Sequence, residues 1–390
     1  MPLSCSYKVQ YGRQFCVTDC PASAPCGIFQ YHRIERPEDV PAADERAIDV
    51  PLLDMNHGWP NLGHDSLVHA VLDTGCDLLE PLQGTGLHIR VLSYDVRRGG
   101  MVPEGPGARF SIYVGSGGPG HLDPRRNDGT APGSQGLNED PSWEAPTFRL
   151  FDAIRASENA ALLGLCHSFG VMCRWSGAAD ESLRGPEKGK STGILENILT
   201  PEARQHPWFK RFSDDLPDGR RLRVVENRLF DLLPGGNGFP AGVVPIGYET
   251  LGLGGPRGDA VTMLEFARDR AGVMPRIFAV NHHPEIVDRF RQVMILNQKR
   301  DRGEVTNEWY QERLDILTRT YPDENSDQRL HVTSDYTLLG PLRFHVYRAV
   351  RLRAEALGLP VPFHEDQVLD AIDRDGVAPV ARVRSATEAF

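Results

Sequence analysis

Apolar positions recur along this chain in two periods. Short apolar runs at Ile48–Leu53, His88–Tyr94, Phe110–Val114, Ala160–Leu165 and Ile277–Val280 have the length expected of buried strands. Between them the apolar spacing changes to three and four. Leu67, Ala70 and Val71 follow Asp65, with Gly75 as a plausible stop. Phe148, Phe151 and Ile154 share one face within 147–156, and Phe169, Met172 and Cys173 do so after Cys166. Strand and helix in alternation predict an α/β fold, a mostly parallel sheet flanked by helices.

Residues 184–276 break this rhythm with glycine-rich turns. They predict shorter, partly antiparallel strands such as Leu222–Val225 and Val261–Phe266. Beyond about residue 287 the pattern turns helical and charged, with Trp309, Tyr310, Leu314 and Leu317 at helical spacing. Arg343 to Arg353 alternates basic and apolar residues and reads as a solvated helix face. The chain divides accordingly into an N-terminal extension (1–46), an α/β domain (47–290) and a helical C-terminal extension (291–390).

The chemically capable residues sit at strand ends. Cys166, the turn Gly117-Gly118-Pro119-Gly120 and Asn281-His-His283-Pro-Glu285 each follow directly on an apolar run. In a parallel sheet all three emerge at the carboxyl edge, where α/β folds bind ligands. A free cysteine, with a pKa of about 8.5, is mostly protonated at neutral pH, so a nucleophilic thiol needs a base and a stabilised anion. His283 could take the proton, and a helix starting after Cys166 would favour the anion. Glu285, two residues along an extended end, could orient the imidazole. Glycine-turn N–H groups, with that of His167, could hold an oxyanion. Singly, each feature is ordinary: a cysteine after a strand is usually a small core hydrophobe, and Gly-Gly-Pro is usually a turn. Together and in this order they point to nucleophilic hydrolysis.

With those residues in view, residues 47–290 resemble the class I (triad) glutamine amidotransferases, loosely their anthranilate-synthase branch. The family's Gly-x-Cys-x-Gly-x-Gln is matched by Gly164-Leu-Cys166-His-Ser168-Phe-Gly170. Its closing Gly-Val-Gln-Phe-His-Pro-Glu is matched by Ala279-Val-Asn-His-His283-Pro-Glu285, and its oxyanion turn by Gly117–Gly120. The resemblance implies a flavodoxin-like sheet, Cys166 as nucleophile, His283 as base and Glu285 as orienter. It further implies oxyanion donors at Gly118 and His167, and glutamine or a related amide as substrate. Ammonia would then pass to a separate synthase chain. Two positions depart from the motif: Ser168 replaces a glycine and Gly170 replaces the substrate-holding glutamine. The family's His-Ser pair is not evident near Val225–Arg228. These departures motivate a γ-glutamyl hydrolase or acyltransferase with another substrate, or a silent regulatory subunit.

Composition narrows the picture less. A net charge of -10 argues against an extended nucleic-acid surface. No run of eighteen apolar residues predicts a membrane span, and the start lacks a signal-peptide pattern. Seven cysteines, unpaired in spacing, suit a reducing, cytoplasmic setting better than disulfides or zinc. No cofactor or metal is expected. Gly115-x-Gly117-x-x-Gly120 matches a dinucleotide fingerprint, but 121–129 is a poor helix start. Gly185–Ser191 is one residue short of a P-loop and reads as a basic loop, a candidate for the pocket rim. His282 beside His283 points to the opposite face of an extended chain, so a packed or solvent-facing role suits it better than a metal pair.

Overall fold

In the computed structural model the described residues are 29–76, 82, 84–321 and 328–360, with the backbone of two short paired strands at Cys5–Ser6 and Cys16–Val17. The side chains of Cys5, Cys16, Cys20 and Cys26 lie outside this set.

The first half of the chain alternates as its apolar spacing requires. It runs β1 (Phe29–Ile34), β2 (Ala47–Asp54), α1 (Leu62–Cys76), β3 (His88–Asp95) and β4 (Ile112–Gly115). Then come α2 (Glu144–Ala156), β5 (Ala161–Leu165) and α3 (His167–Ser176). The middle holds β6 (Asp180–Leu183), β7 (Ser191–Leu199), the short helices α4 (Pro201–Gln205) and α5 (Pro207–Asp215), and β8 (Arg221–Arg228). After these come β9 (Phe230–Leu233), β10 (Val244–Thr250), β11 (Arg257–Arg268) and β12 (Pro275–Val280). The end is helical: α6 (Arg289–Asp301), α7 (Asn307–Thr320), α8 (Gln328–Ser334), a π-helical turn (Asp335–Leu339) and α9 (Gly340–Ala356).

One ten-stranded sheet carries the fold, in the order β8-β7-β10-β11-β12-β5-β4-β2-β3-β1. The six strands from β12 to β1 are parallel; the four from β8 to β11 join antiparallel. Flanking helices complete the α/β arrangement that the alternation predicts and the flavodoxin-like sheet that the resemblance implies. The antiparallel strands contain the two predicted segments, but they are longer, because Arg221, Arg223 and Arg228 interrupt the apolar run and still pair in register.

Period two sorts the core. Val50 and Leu52 of β2 face α1, α5 and α9, packing with Leu67, Phe209 and Leu342. Leu53 faces α2 and α3, packing with Phe151, Phe169 and Met172. Both faces are thus closed, as buried parallel strands need. The edge strand β1 lies inside the span read as an N-terminal extension, with six residues in register on β3. Helix α9 packs on the same core through Phe344, Val346 and Val350. Its Arg348 and Arg353 reach outward to Asn159 and to the carbonyls of Glu45 and Ala108. No described helix is long and apolar enough to cross a membrane.

Candidate active site

Because β4, β5 and β12 run parallel, their carboxyl ends open on one edge. Register fixes the neighbours: Leu165 pairs with Val280, and Gly115 with Gly164. The Cys166 N–H donates to the Val280 carbonyl at 2.8 Å, which locks the thiol's backbone to the strand that delivers His283. Cys166 itself has φ 49° and ψ -103°, a left-handed setting that costs a non-glycine residue about 1–3 kcal/mol. This sharp turn leads straight into α3, whose first N–H groups have no carbonyl one turn earlier to bond. Two small residues allow it. A Cβ on Gly164 would lie 2.6 Å from the Met172 sulfur, so glycine lets α3 settle on the strand. Gly177 (φ 71°) ends the helix.

The imidazole of His283 reaches the same point. A Cβ built on Gly117 would stand 3.2 Å from His283 Cε1 and 3.7 Å from Cys166 Sγ, so both groups border one small space beside the turn. His283 Nδ1 bonds Glu285 Oε1 at 2.8 Å. Glu285 lies at the start of α1: its Oε1 would be 2.7 Å from a Cβ on Gly63. A helix N-terminus favours such a carboxylate. Burial works against the imidazolium, but the charges of Glu285 and Cys166 outweigh it and hold the His283 pKa well above the ordinary histidine range. His282 is fully buried, its pKa lowered to about 3 by burial and by His283, with Nε2 3.3 Å from Thr337 Oγ1. Among the described residues no cluster of His, Cys, Asp or Glu could hold a metal ion.

The raised His283 pKa gives a signed expectation. A group whose folded pKa exceeds its unfolded value, here about 6.5, stabilises fully below that value and loses its contribution as pH rises through the folded one. Glu285→Gln removes the larger of the two attracting charges. The melting-temperature advantage of wild type over this variant should therefore shrink from pH 6.5 upward, and histidine NMR should show the His283 titration moved to lower pH.

The turn Gly117–Gly120 is held from behind. A Cβ on Gly118 would lie 2.0 Å from the Met55 carbonyl oxygen, which only glycine permits. Arg97 Nη1 donates to both Met55 O (2.9 Å) and Pro119 O (2.7 Å). The guanidinium also forms a fully buried two-pronged pair with Glu139, at 2.6 Å on each prong. Trp143 and Asn127 donate to the same carboxylate. The segment 121–146, a loop in the sequence, is therefore an ordered brace. Nothing in the sequence marks Arg97 beyond its position after a strand.

The two departures from the family motif have structural counterparts. Ser168 Oγ donates to the Ser116 carbonyl at 2.7 Å, and it fits only because residue 115 is glycine, whose Cβ would come 2.4 Å from it. At Gly170 a Cβ would lie 2.4 Å from both Leu122 methyl carbons, so Leu122 fills the space where a side chain would project. The His167 ring is buried, its pKa pushed well down by burial and by Arg97, and its Nε2 has no hydrogen-bond partner among the described residues.

Cys166, His167 and His283 line a cavity of about 920 Å³. Its far wall is β8, where Glu226 accepts from Ser191 (2.6 Å) and pairs with Arg228 (3.1 Å). Arg228 also pairs with Glu249. The loop at 185–190, read as basic, brings Lys190 to the rim, and Trp309, Arg313 and Ile316 of α7 close the outer side. Sequence spacing marks α7 as a helix but does not reveal that it covers the site. A second Ser–His–Asp line exists at Ser93, His64 and Asp65, with separations of 2.8 and 2.9 Å. Ser93 is fully buried and accepts from Arg33, and Asp65 pairs with Lys299. This line clamps α1 to β3 and α6.

No family model and no curated protein matches the sequence. Among solved structures the chain is similar to SMU.1228c, at 16% identity and TM-score 0.41, over 75% of this chain and 99% of that one. It is similar to a chain of PurLQS from Thermotoga maritima (12%, TM-score 0.35, 61% and 89%). A third is the glutaminase domain of Trypanosoma brucei CTPS with bound acivicin (10%, TM-score 0.38, 72% and 98%).

Proposed function

We propose that this chain is a cysteine-dependent amidohydrolase of the class I glutamine amidotransferase kind, working through a thioester on Cys166. One observation carries the reading: the Cys166 thiol and the His283 imidazole border the same space beside Gly117, with Glu285 fixed behind the imidazole. His283 takes the thiol proton, and the sulfur attacks the amide carbonyl carbon. The carbonyl electron pair moves onto oxygen, where the N–H groups of Gly118 and His167 hold it; one such donor is worth about 3 kcal/mol in a serine protease. The C–N bond then breaks and the amine leaves with the proton from His283. Water, deprotonated by the same imidazole, attacks the thioester. The C–S bond breaks, releasing the acid and restoring the thiol. With glutamine the amine is ammonia, which passes to a separate synthase chain.

A second reading keeps the chemistry and changes the substrate to an amide other than glutamine. The Leu122 side chain pressed against Gly170 favours it, since no side chain there could hold glutamine's amino-acid end.

Iodoacetamide labelling of the full chain tests the shared chemistry. At pH 6 a free thiol is mostly protonated, so Cys166 should be alkylated at least tenfold faster than glutathione, with Cys173, which is buried, left unmodified. A Cys166 no faster than glutathione would remove the proposal. Ammonia release from glutamine then separates the two substrates.

A further inference from the structure

The chain is acidic overall, but its catalytic cavity is not. Lys190, Arg228, Arg313 and Arg319 line it against Glu226 and Glu312. Arg228 is neutralised by its pairs with Glu226, Glu249 and Asp231, so it adds no free charge. Lys190 and Arg313 differ. No ion pair within 4.0 Å is formed by Lys190 among the described residues, and Arg313 touches only its neighbour Glu312, at 3.7 Å, while stacking on Trp309. The two cations come from unrelated parts of the chain, the loop before β7 and helix α7, yet they share the rim above the thiol. Burial lowers the Lys190 pKa, the charge of Cys166 raises it, and the repulsion of Arg313 across the mouth then lowers it by more than Glu312 raises it. Holding two like charges at one mouth is unfavourable unless an anion comes between them.

Size points the same way. Pockets of about 300–1,000 Å³ suit drug-sized ligands, and about 920 Å³ far exceeds what glutamine, with ten heavy atoms, would fill. Leu122 removes the side-chain position that would hold a small amino acid close to the nucleophile.

From this we infer that the substrate is an amide of dipeptide size or larger carrying a carboxylate remote from the scissile bond, which docks between Lys190 and Arg313. The inference rests on the proposed thioester chemistry and specifies its substrate class.

A matched pair of chromogenic amides tests it on the full chain: butyryl-4-nitroanilide, which has no carboxylate, and butyryl-3-carboxy-4-nitroanilide, which has one. Wild type should favour the carboxylated amide at least tenfold in kcat/KM. The preference should fall at least fivefold in Lys190→Gln/Arg313→Gln and weaken between 0.05 and 0.5 M salt, as a charge–charge preference must. Equal kcat/KM for the two amides, or a preference unchanged in the double variant, overturns the inference and leaves the thioester chemistry standing. If neither amide is hydrolysed, both are scored as protectants of Cys166 against iodoacetamide. Tenfold tighter protection by the carboxylated one, lost in the variant, supports the inference; equal or absent protection overturns it. A Cys166 no more reactive than glutathione defeats the underlying chemistry instead.

Discussion

Cys166→Ala is expected to lower amide turnover by roughly 10⁴–10⁶-fold, the range seen when a member of a nucleophile–base–orienter set is removed. Cys166→Ser should fall nearly as far, because His283 and the start of α3 are arranged for a thiolate. The informative companion is Cys166→Gly. The thiol sits on a backbone with φ 49°, which glycine adopts without strain. Glycine there should therefore be as inactive as alanine yet more stable than the alanine variant, by about 1 kcal/mol or more. Thermal melts of the two variants check this. A glycine variant that melts below the alanine one would mean the turn is not strained, and with it the case for an enforced nucleophile elbow would weaken.

Arg97→Ala is expected to cost about 3–5 kcal/mol, since it leaves the Glu139 carboxylate buried without its cation. Taken with the usual size scaling, the melting temperature should drop by roughly 4–6 °C. Activity should suffer as well, because the same guanidinium holds the Met55 and Pro119 carbonyls on either side of the glycine turn. The double replacement Arg97→Met/Glu139→Leu tells the two effects apart. Removing both charges should restore much of the stability, in line with the behaviour of apolar substitutes for buried pairs. It should not restore turnover, because the turn still lacks its brace. Calorimetry and kcat on the same samples read both quantities.

The alternation of apolar periods made the sheet legible in advance, because strands buried on both faces have little choice but continuous apolar runs. Val50, Leu52 and Leu53 sort to the two faces as that period demands. The convergence of Cys166 with His283 was legible for a related reason: parallel strands share an edge, so residues that end such strands must be neighbours. What sequence could not give were groups that work through long-range pairing. Arg97 meets Glu139 across forty-two positions of sequence, and no local pattern announces it. Ser168 and Gly115 depend on each other across the β4–β5 pairing, so Ser168 alone looked like an eroded motif, whereas it bonds the Ser116 carbonyl. Leu122 likewise explains Gly170 only once the loop carrying it is seen to fold back on α3. Strand β1 was hidden because a single edge strand of mixed polarity, Phe-Gln-Tyr-His-Arg-Ile, has no distinct signature beside a charged segment.

The helix α7 supplies the outer wall of the cavity, and Tyr321 just beyond it bonds the Ile286 carbonyl next to Glu285. The consequence is that the roof and the floor of this chamber belong to one continuous polypeptide. Without α7 the thiol, imidazole and carboxylate would sit in an open trough wetted on one side, with Arg313 gone. Selectivity and water exclusion thus depend on a helix far downstream of Cys166 in sequence, and changes to α7 should alter what enters before they alter how it reacts.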